Sequence, residues 1–578
     1  MRKSHTRILT ASLLGALAWS AEPSEALACG GFFCSQNAPV NQAAERIVFA
    51  SDGQGTVTAV IQIMYDGPSE SFSWLLPSPS VPDEVLVSSD AAFQRLQGAT
   101  NPTYSLTVTV EGTCKTDPND GVLLGGGTTS GTSASSAASD GAPLDSGGVT
   151  VEASGVVGSF EWTVISVDPD LDEPVDAAVT WLEDNGYDVT DDGEQLIAPY
   201  LDEGMYLVAL KLVKGASVGA IRPIVLQYEA QEPMIPIQLT AVAANQDMGV
   251  MVWLLENDRA VPQNYLSLEL NEARINWFNA SSNYNDVVIN AAKEAGGQGF
   301  VTEFAGPADT LDGVIWTNYD EQNWTSVTQG LYSSFGELFQ NTYWRYASFD
   351  GFWEAVEDTV TLPQDVSFED FQLCPYCYSE DIELEPSEFL DALEQNVIEP
   401  FRLMQDLFDD HAYATRLYTT MSAADMTLDP VFTYNKDLGD VSNVHTAERI
   451  IECNPEIYQF EAPWRIELPQ GGVIRGSAED AASRVWPNDV QQQPANLIVS
   501  QLSESGKGMV VVDNSDEVQA SLREYNESLD LPDTPGSESG KRAGGCSMGA
   551  KSAGLPWSVA LGLVGVVAMT ARRRRRAT

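Results

Sequence analysis

The chain has 578 residues, of which 43% are apolar and 9% aromatic. That is longer than one average domain and enough apolar side chain to bury a sizeable core, so global disorder is excluded. Lys and Arg total 30 against 83 Asp and Glu, a formal net charge of −53, and such a surface repels nucleic acid and anionic lipid while favouring cations.

The first element is an export signal. Arg2, Lys3, His5 and Arg7 form a basic region, and residues 8–19 are an apolar run too short for a membrane span. Ala26-Leu27-Ala28 is an A-x-A site, so the signal peptide covers 1–28, signal peptidase is its partner, and Ala28 is its last residue. Cleavage leaves Cys29 first, which raises lipoprotein processing. Ala26, however, stands where a lipobox has Leu, and the polar stretch 20–25 separates the site from the apolar run.

Residues 29–513 form the body. Strand patterns dominate its first half. Residues 56–65 (TVTAVIQIMY) are rich in β-branched and apolar side chains, 72–76 follow a Gly67-Pro68 turn, and 104–110 alternate Leu106, Val108 and Val110 with Thr107 and Thr109. Residues 160–167, 205–212, 223–228, 235–243 and 249–255 also read as strands. Residues 115–150 break the pattern, because their Gly, Ser and Thr cannot build a core; they are expected to be a disordered insertion within the domain. Helices are expected at 175–183, stopped by Asn185-Gly186, and at 285–294, stopped by Gly296-Gly297. The longest helical region is 387–409, divided near Pro400, and 481–485 offers a short turn. The mix predicts an α+β fold with a mainly antiparallel sheet and interspersed helices.

Beyond the body, 514–545 is polar and rich in Ser, Glu and Gly, and reads as a flexible tether. The segment 546–578 then holds Cys546, an apolar run at 555–571 at the lower length limit of a transmembrane helix, and the arginine tail 572–576, which stays cytoplasmic by the positive-inside rule. A simple tail anchor with the body outside is the alternative reading of that end.

Six cysteines lie in the body: Cys29, Cys34, Cys114, Cys374, Cys377 and Cys453. An even number in an exported chain reads as a disulfide set. Spacing suggests Cys29 with Cys34, Cys374 with Cys377, and Cys114 with Cys453, one of the fifteen pairings that six cysteines allow. Cys374-Pro375-Tyr376-Cys377 also has the spacing of a redox dithiol, in which a low-pKa thiolate attacks and its neighbour resolves. Such a motif should follow a buried strand and open a helix, whereas here acidic residues flank it, so a structural disulfide is the expectation and an envelope thiol-disulfide oxidoreductase the alternative. A zinc site from Cys374, Cys377, Cys453 and a histidine lacks a second closely spaced ligand pair. The acidic runs 168–173 and 188–194 suggest calcium, which would make a calcium-dependent adhesion module, but neither has the ligand spacing of a Ca²⁺ loop. No catalytic residue, metal ligand or cofactor is assigned. His411 and His445 are the body's two histidines, and Trp344, Tyr346, Phe352 and Trp353 are aromatics that fit either a binding face or core.

Several ordered runs carry a resemblance. Cys29-Gly30-Gly31-Phe32-Phe33-Cys34, Trp74-Leu75-Leu76-Pro77-Ser78-Pro79 and Ile221-Arg222-Pro223-Ile224 precede Gly296-Gly297-Gln298-Gly299-Phe300-Val301-Thr302-Glu303. Thr415-Arg416-Leu417-Tyr418 and Leu428-Asp429-Pro430-Val431-Phe432 follow. Together they resemble the bacterial domain of unknown function 2330, from about Cys29 to at least Phe432. That resemblance implies no activity and no catalytic residues. The carboxyl end resembles a MYXO-CTERM sorting domain through Cys546, the apolar helix and the arginine cluster. This second resemblance implies processing near Cys546 by a membrane-embedded sorting protease, modification of that cysteine, and surface display. The expectation is therefore an exported, surface-displayed, acidic structural or binding protein of unknown activity anchored to the cell envelope, with the oxidoreductase and the calcium-dependent adhesion module as alternatives.

Overall fold

Apolar runs in the first half of the chain become strands because their β-branched side chains pack on a pleated surface buried from both sides. The structure, a computed structural model, describes residues 41–66, 73–115, 148–187, 191–212 and 221–531. All of them belong to one compact unit, Met1–Pro532.

Ten strands form the main sheet. In spatial order they are Met509–Asp513, Asn496–Gln501, Leu266–Leu270, Gly299–Pro307, Tyr413–Met421, Ala244–Glu256, Asn41–Ser51, Thr56–Asp66, Ile224–Glu229 and Glu84–Val87. Seven of the nine pairings are antiparallel. Asn41–Ser51 runs parallel to Ala244–Glu256, and Leu266–Leu270 parallel to Gly299–Pro307. A parallel pair needs a crossover, and the helix Tyr284–Glu294 supplies the second one.

One face of this sheet packs on a four-stranded antiparallel sheet of Ser73–Ser78, Tyr206–Leu212, Phe160–Val167 and Val149–Val157. Phe49, Val252 and Leu254 meet Trp74, Phe160 and Val208 between the layers. Helices Pro174–Asp184 and Asp191–Asp202 cover the smaller sheet from outside through Trp181, Leu182 and Ile197. The other face of the main sheet turns Val48, Trp253 and Leu255 to helices Asp90–Thr100 and Glu399–Asp409, which answer with Phe93, Leu96 and Met404. A third sheet, Val473–Gly476, Trp464–Glu467, Val444–Glu452 and Thr103–Glu111, adds a parallel pair at its last position. The fold is α+β and mainly antiparallel, as expected.

Most expected elements stand within a residue or two of their predicted bounds, including Thr56–Asp66, Thr103–Glu111, Phe160–Val167, Pro174–Asp184 and Tyr284–Glu294. The region 387–409 is Pro386–Leu393, a π turn over Glu394–Ile398, and Glu399–Asp409; Pro400 follows the π turn, and the Asn396 carbonyl four residues before it accepts from Arg222 Nη2 at 2.8 Å.

Three expectations are corrected. Residues 235–243 are not a strand but contain the single helical turn Ile237–Thr240. Pro236 starts it, and the Asp429 carboxylate accepts from the Gln238 N–H at 2.9 Å, satisfying a donor that a sheet would otherwise have to pair. The polar stretch from 514 is not all tether, because Ser515–Ser528 is a helix that buries Val518 and Leu522. The insertion ends earlier than 150, since Val149–Val157 is a strand. Its residues 116–147 lie outside the described ones, as do the signal peptide, the run 555–571 and the arginine tail. Among the described residues no helix is long and apolar enough to cross a membrane. Of the four aromatics weighed as a binding face, Tyr346, Phe352 and Trp353 are buried core, while Trp344 is 73% exposed.

Candidate functional site

Alternation in the strand Leu266–Leu270 sends Leu268 and Leu270 into the core, so Glu269 faces away from it. The chain then turns through Glu272–Arg274, a single 3-10 turn capped by Asn271, whose side chain accepts from the Ala273 N–H. That turn leaves Glu272 only 5% exposed. Alongside, Gly299–Pro307 slips register against Tyr413–Met421 between Thr302 and Phe304. Glu303 is thus the extra residue of a β-bulge, a device that re-aims a side chain locally.

These carboxylates border a cleft of about 380 Å³. Tyr104, Tyr284, Arg259, His445 and Gln470 are among its other polar lining residues, and Leu268, Val301, Val441 and Leu502 give it aliphatic walls. His445 is directly opposite Tyr104 in the parallel pair of Val444–Glu452 with Thr103–Glu111. The two rings stack at 4.5 Å with 13° between their planes. The Nδ1 of His445 is 2.6 Å from Glu272 Oε1. Glu272 Oε2 is buried and has no hydrogen-bond partner among the described residues.

Glu303 is held differently. The Tyr284 hydroxyl donates to its Oε1 at 2.5 Å, and Arg416 Nε lies 2.7 Å from its Oε2. Arg416 is itself buried and gives its other nitrogens to Thr100 Oγ1 at 3.0 Å and Asn101 Oδ1 at 2.9 Å. Burial pushes the Glu303 carboxyl above its usual range, against the pull of Arg416 and Tyr284. At the cleft mouth Glu269 is raised too, by burial and then by the Glu272 charge beside it. Burial, then the charges of Glu272 and Glu303, holds the Tyr104 phenol well above its usual value, and burial with Glu303 does the same to Tyr284. Both phenols therefore stay neutral hydroxyls. The cleft offers a ligand several negative acceptors, hydroxyl donors, and a histidine whose orientation a carboxylate fixes.

Apart from His445, the candidate residues singled out from sequence do not converge here. Cys114 and Cys453 are bonded, as their spacing suggested, at the ends of the parallel strands Thr103–Glu111 and Val444–Glu452. Gly112 makes that approach possible: it has φ +81°, and a Cβ there would lie 2.3 Å from the Cys453 carbonyl oxygen. Cys374 and Cys377 are also bonded, with Cα atoms 5.4 Å apart. The helix Phe368–Leu373 precedes them, rather than a strand, and the helix that Cys374 caps and that contains Cys377, Pro375–Tyr378, is only four residues long, so the dithiol lacks the setting that lowers a thiol pKa. Ala28, Cys29, Cys34 and Cys546 lie outside the described residues.

In the acidic run, Asp168 Oδ1 accepts from the Asp170 N–H at 3.0 Å, a local turn. Among the described residues no three His, Cys, Asp or Glu side chains are placed to hold a metal ion. His411 bonds through both ring nitrogens to backbone carbonyls, those of Leu407 and Ser51, and so fastens a helix end to a strand end. His445 is the histidine that reaches the cleft. Sequence reasoning missed Glu269, Glu272, Tyr104 and Tyr284. A faint signal existed at Glu303 and Arg416, charged residues inside otherwise apolar strand runs, where an ionisable side chain needs a partner.

A family described as "Uncharacterized protein conserved in bacteria (DUF2330)" matches residues 23–316, a little over half of the chain and less than the span that the sequence resemblance suggested. The matched part contains Tyr104, Glu269, Glu272, Tyr284 and Glu303, whereas Arg416 and His445 fall beyond it. No curated protein and no solved structure matches the chain. On that match the chain belongs to the DUF2330 family of bacterial proteins.

Proposed function

We propose that this protein is exported, retained at the cell envelope through its carboxyl terminus, and acts there by binding a ligand in the carboxylate-lined cleft. The observation that carries the binding reading is Glu272, a carboxylate buried in the cleft wall with one oxygen left without a partner among the described residues. A buried acceptor without a donor costs about 1–3 kcal/mol, more for a charge, and a ligand that supplies the donor recovers it. Export is supported by the three-part signal in 1–28, and retention by Cys546, the apolar run and the arginine tail, which together resemble a MYXO-CTERM sorting signal. Once the apolar run is removed, a modified Cys546 would be the lasting anchor, assisted by a second contact because one lipid chain holds weakly.

Two measurements test this. Mass spectrometry of protein from fractionated cells should find a mature chain starting at Cys29 and ending near Cys546; a chain that still carries residues 572–576 returns the carboxyl end to a plain tail anchor. Native mass spectrometry of the same protein should show a co-purifying small mass that Glu272→Gln loses. The binding reading fails when the wild-type protein carries no such mass.

A further inference from the structure

We propose that the cleft takes an aliphatic primary ammonium, the group shared by free diamines and lysine side chains; the inference rests on the binding reading above. The sign of the ligand comes first. Glu269 and Glu272 stand together on one wall, and the cations around them are already engaged. Arg416 is paired with Glu303. Arg259 donates to the Gly439 carbonyl at 2.9 Å and to Thr302 Oγ1 at 3.3 Å, and the carboxylate whose charge acts on it is Asp440, outside the cleft lining. His445 reaches a single oxygen of Glu272, Oε1. The wall therefore has negative charge in excess, with Glu269 and Glu272 close enough for the charge of one to act on the other.

Geometry then separates the cations. A guanidinium binds best with its planar fork across both oxygens of one carboxylate. Glu272 has only Oε2 to give, because His445 holds Oε1. An ammonium is a point charge with three donors that rotate to suit, so one oxygen of Glu272 with one of Glu269 satisfies it. A bare divalent ion fits less well, since no three-ligand metal group exists among the described residues and the space is far larger than an ion. Leu268, Val301, Val441 and Leu502 would cover the methylenes behind the charged head, as aliphatic stems of lysine are covered elsewhere.

The test is calorimetric titration of the detergent-solubilised full chain with cadaverine, with 1,5-pentanediol as its uncharged counterpart, with a short lysine-bearing peptide and its arginine counterpart, and with calcium chloride alone. Cadaverine or the lysine peptide should bind saturably and pentanediol should not, and whichever of the first two binds tighter identifies the source of the ammonium. Glu272→Gln should weaken that binding by about tenfold or more, in line with the loss of a charge-assisted hydrogen bond. Because Glu272 is tied to His445, the exposed Glu269→Gln is the second variant and should weaken binding with an unchanged far-ultraviolet circular dichroism spectrum. Pentanediol binding as well as cadaverine, the arginine peptide binding more tightly than the lysine peptide, or both variants keeping wild-type affinity would each overturn the proposal. Calcium alone binding in a Glu272-dependent way would also overturn the ammonium assignment while leaving the cleft a binding site, whereas the absence of any co-purifying mass in the wild-type protein removes the reading beneath it.

Discussion

Glu45 gives the sharpest stability prediction. It lies on Asn41–Ser51 between Val250 and Ile63 of the neighbouring strands, on the face that Ile47 and Phe49 share. It is 4% exposed, and its Oε2 has no hydrogen-bond partner among the described residues. Burial pushes its carboxyl up from 4.5 to about 7. A carboxyl raised in the folded state contributes stability that is fully present below its unfolded pKa and is lost as pH rises through the folded one, so the window runs from about 4.5 to about 7. A gap of that width corresponds to about 3 kcal/mol, with no discount for solvent screening because the group is buried. Glu45→Gln keeps the shape and removes the titration. Urea unfolding followed by tryptophan fluorescence, from pH 5 to pH 8, should show the variant gaining about 2 kcal/mol on the wild type across the series. Every other titrating group cancels in that difference. Two stability curves running parallel in pH would refute the reasoning, since they would mean that the ionised carboxylate is solvated or paired in the fold.

Replacing Cys114 and Cys453 together by Ser should cost about 2–4 kcal/mol, because their bond closes a chain separation of 339 residues, and a thermal melt unchanged from the wild type would contradict this. Ending the chain at Asn514 should lower the melting temperature clearly, since Val518 and Leu522 leave the core at about 1.5–3 kcal/mol for each such side chain, while ending it at Leu531 should not. Trp353→Ala should cost about 3–5 kcal/mol and Trp344→Ala less than about 0.5 kcal/mol in urea unfolding, because the first ring is packed in the helical core and the second is exposed.

The elements that the sequence revealed are those whose burial writes a period into it. Thr103–Glu111 alternates, and Pro174–Asp184 has an apolar stripe and an Asn185-Gly186 stop; both were readable. Residues 515–528 concealed theirs, because Val518, Leu522 and Tyr525 form a narrow stripe in a strongly polar segment whose composition suggests a tether. Residues 235–243 gave the opposite error. Their apolar run looked like a strand, yet Pro236 and the distant Asp429 carboxylate close a helical turn there.

The cleft was the least legible part. Tyr104, Glu272, Glu303, Arg416 and His445 come from separate places in the chain, and no short motif spans them. Only the parallel pairing of Thr103–Glu111 with Val444–Glu452 lays Tyr104 against His445, and only the bulge at Glu303 turns that carboxylate toward Tyr284 and Arg416. By itself the sequence determined what depends on local pattern: the α+β class, most strands and helices, and the acidic composition, while it offered the two cysteine pairs now seen bonded as part of one of fifteen pairings. The tertiary structure alone decided which charged groups are buried and which neighbour each one meets, because desolvation and pairing depend on distances across strands that sequence spacing does not encode.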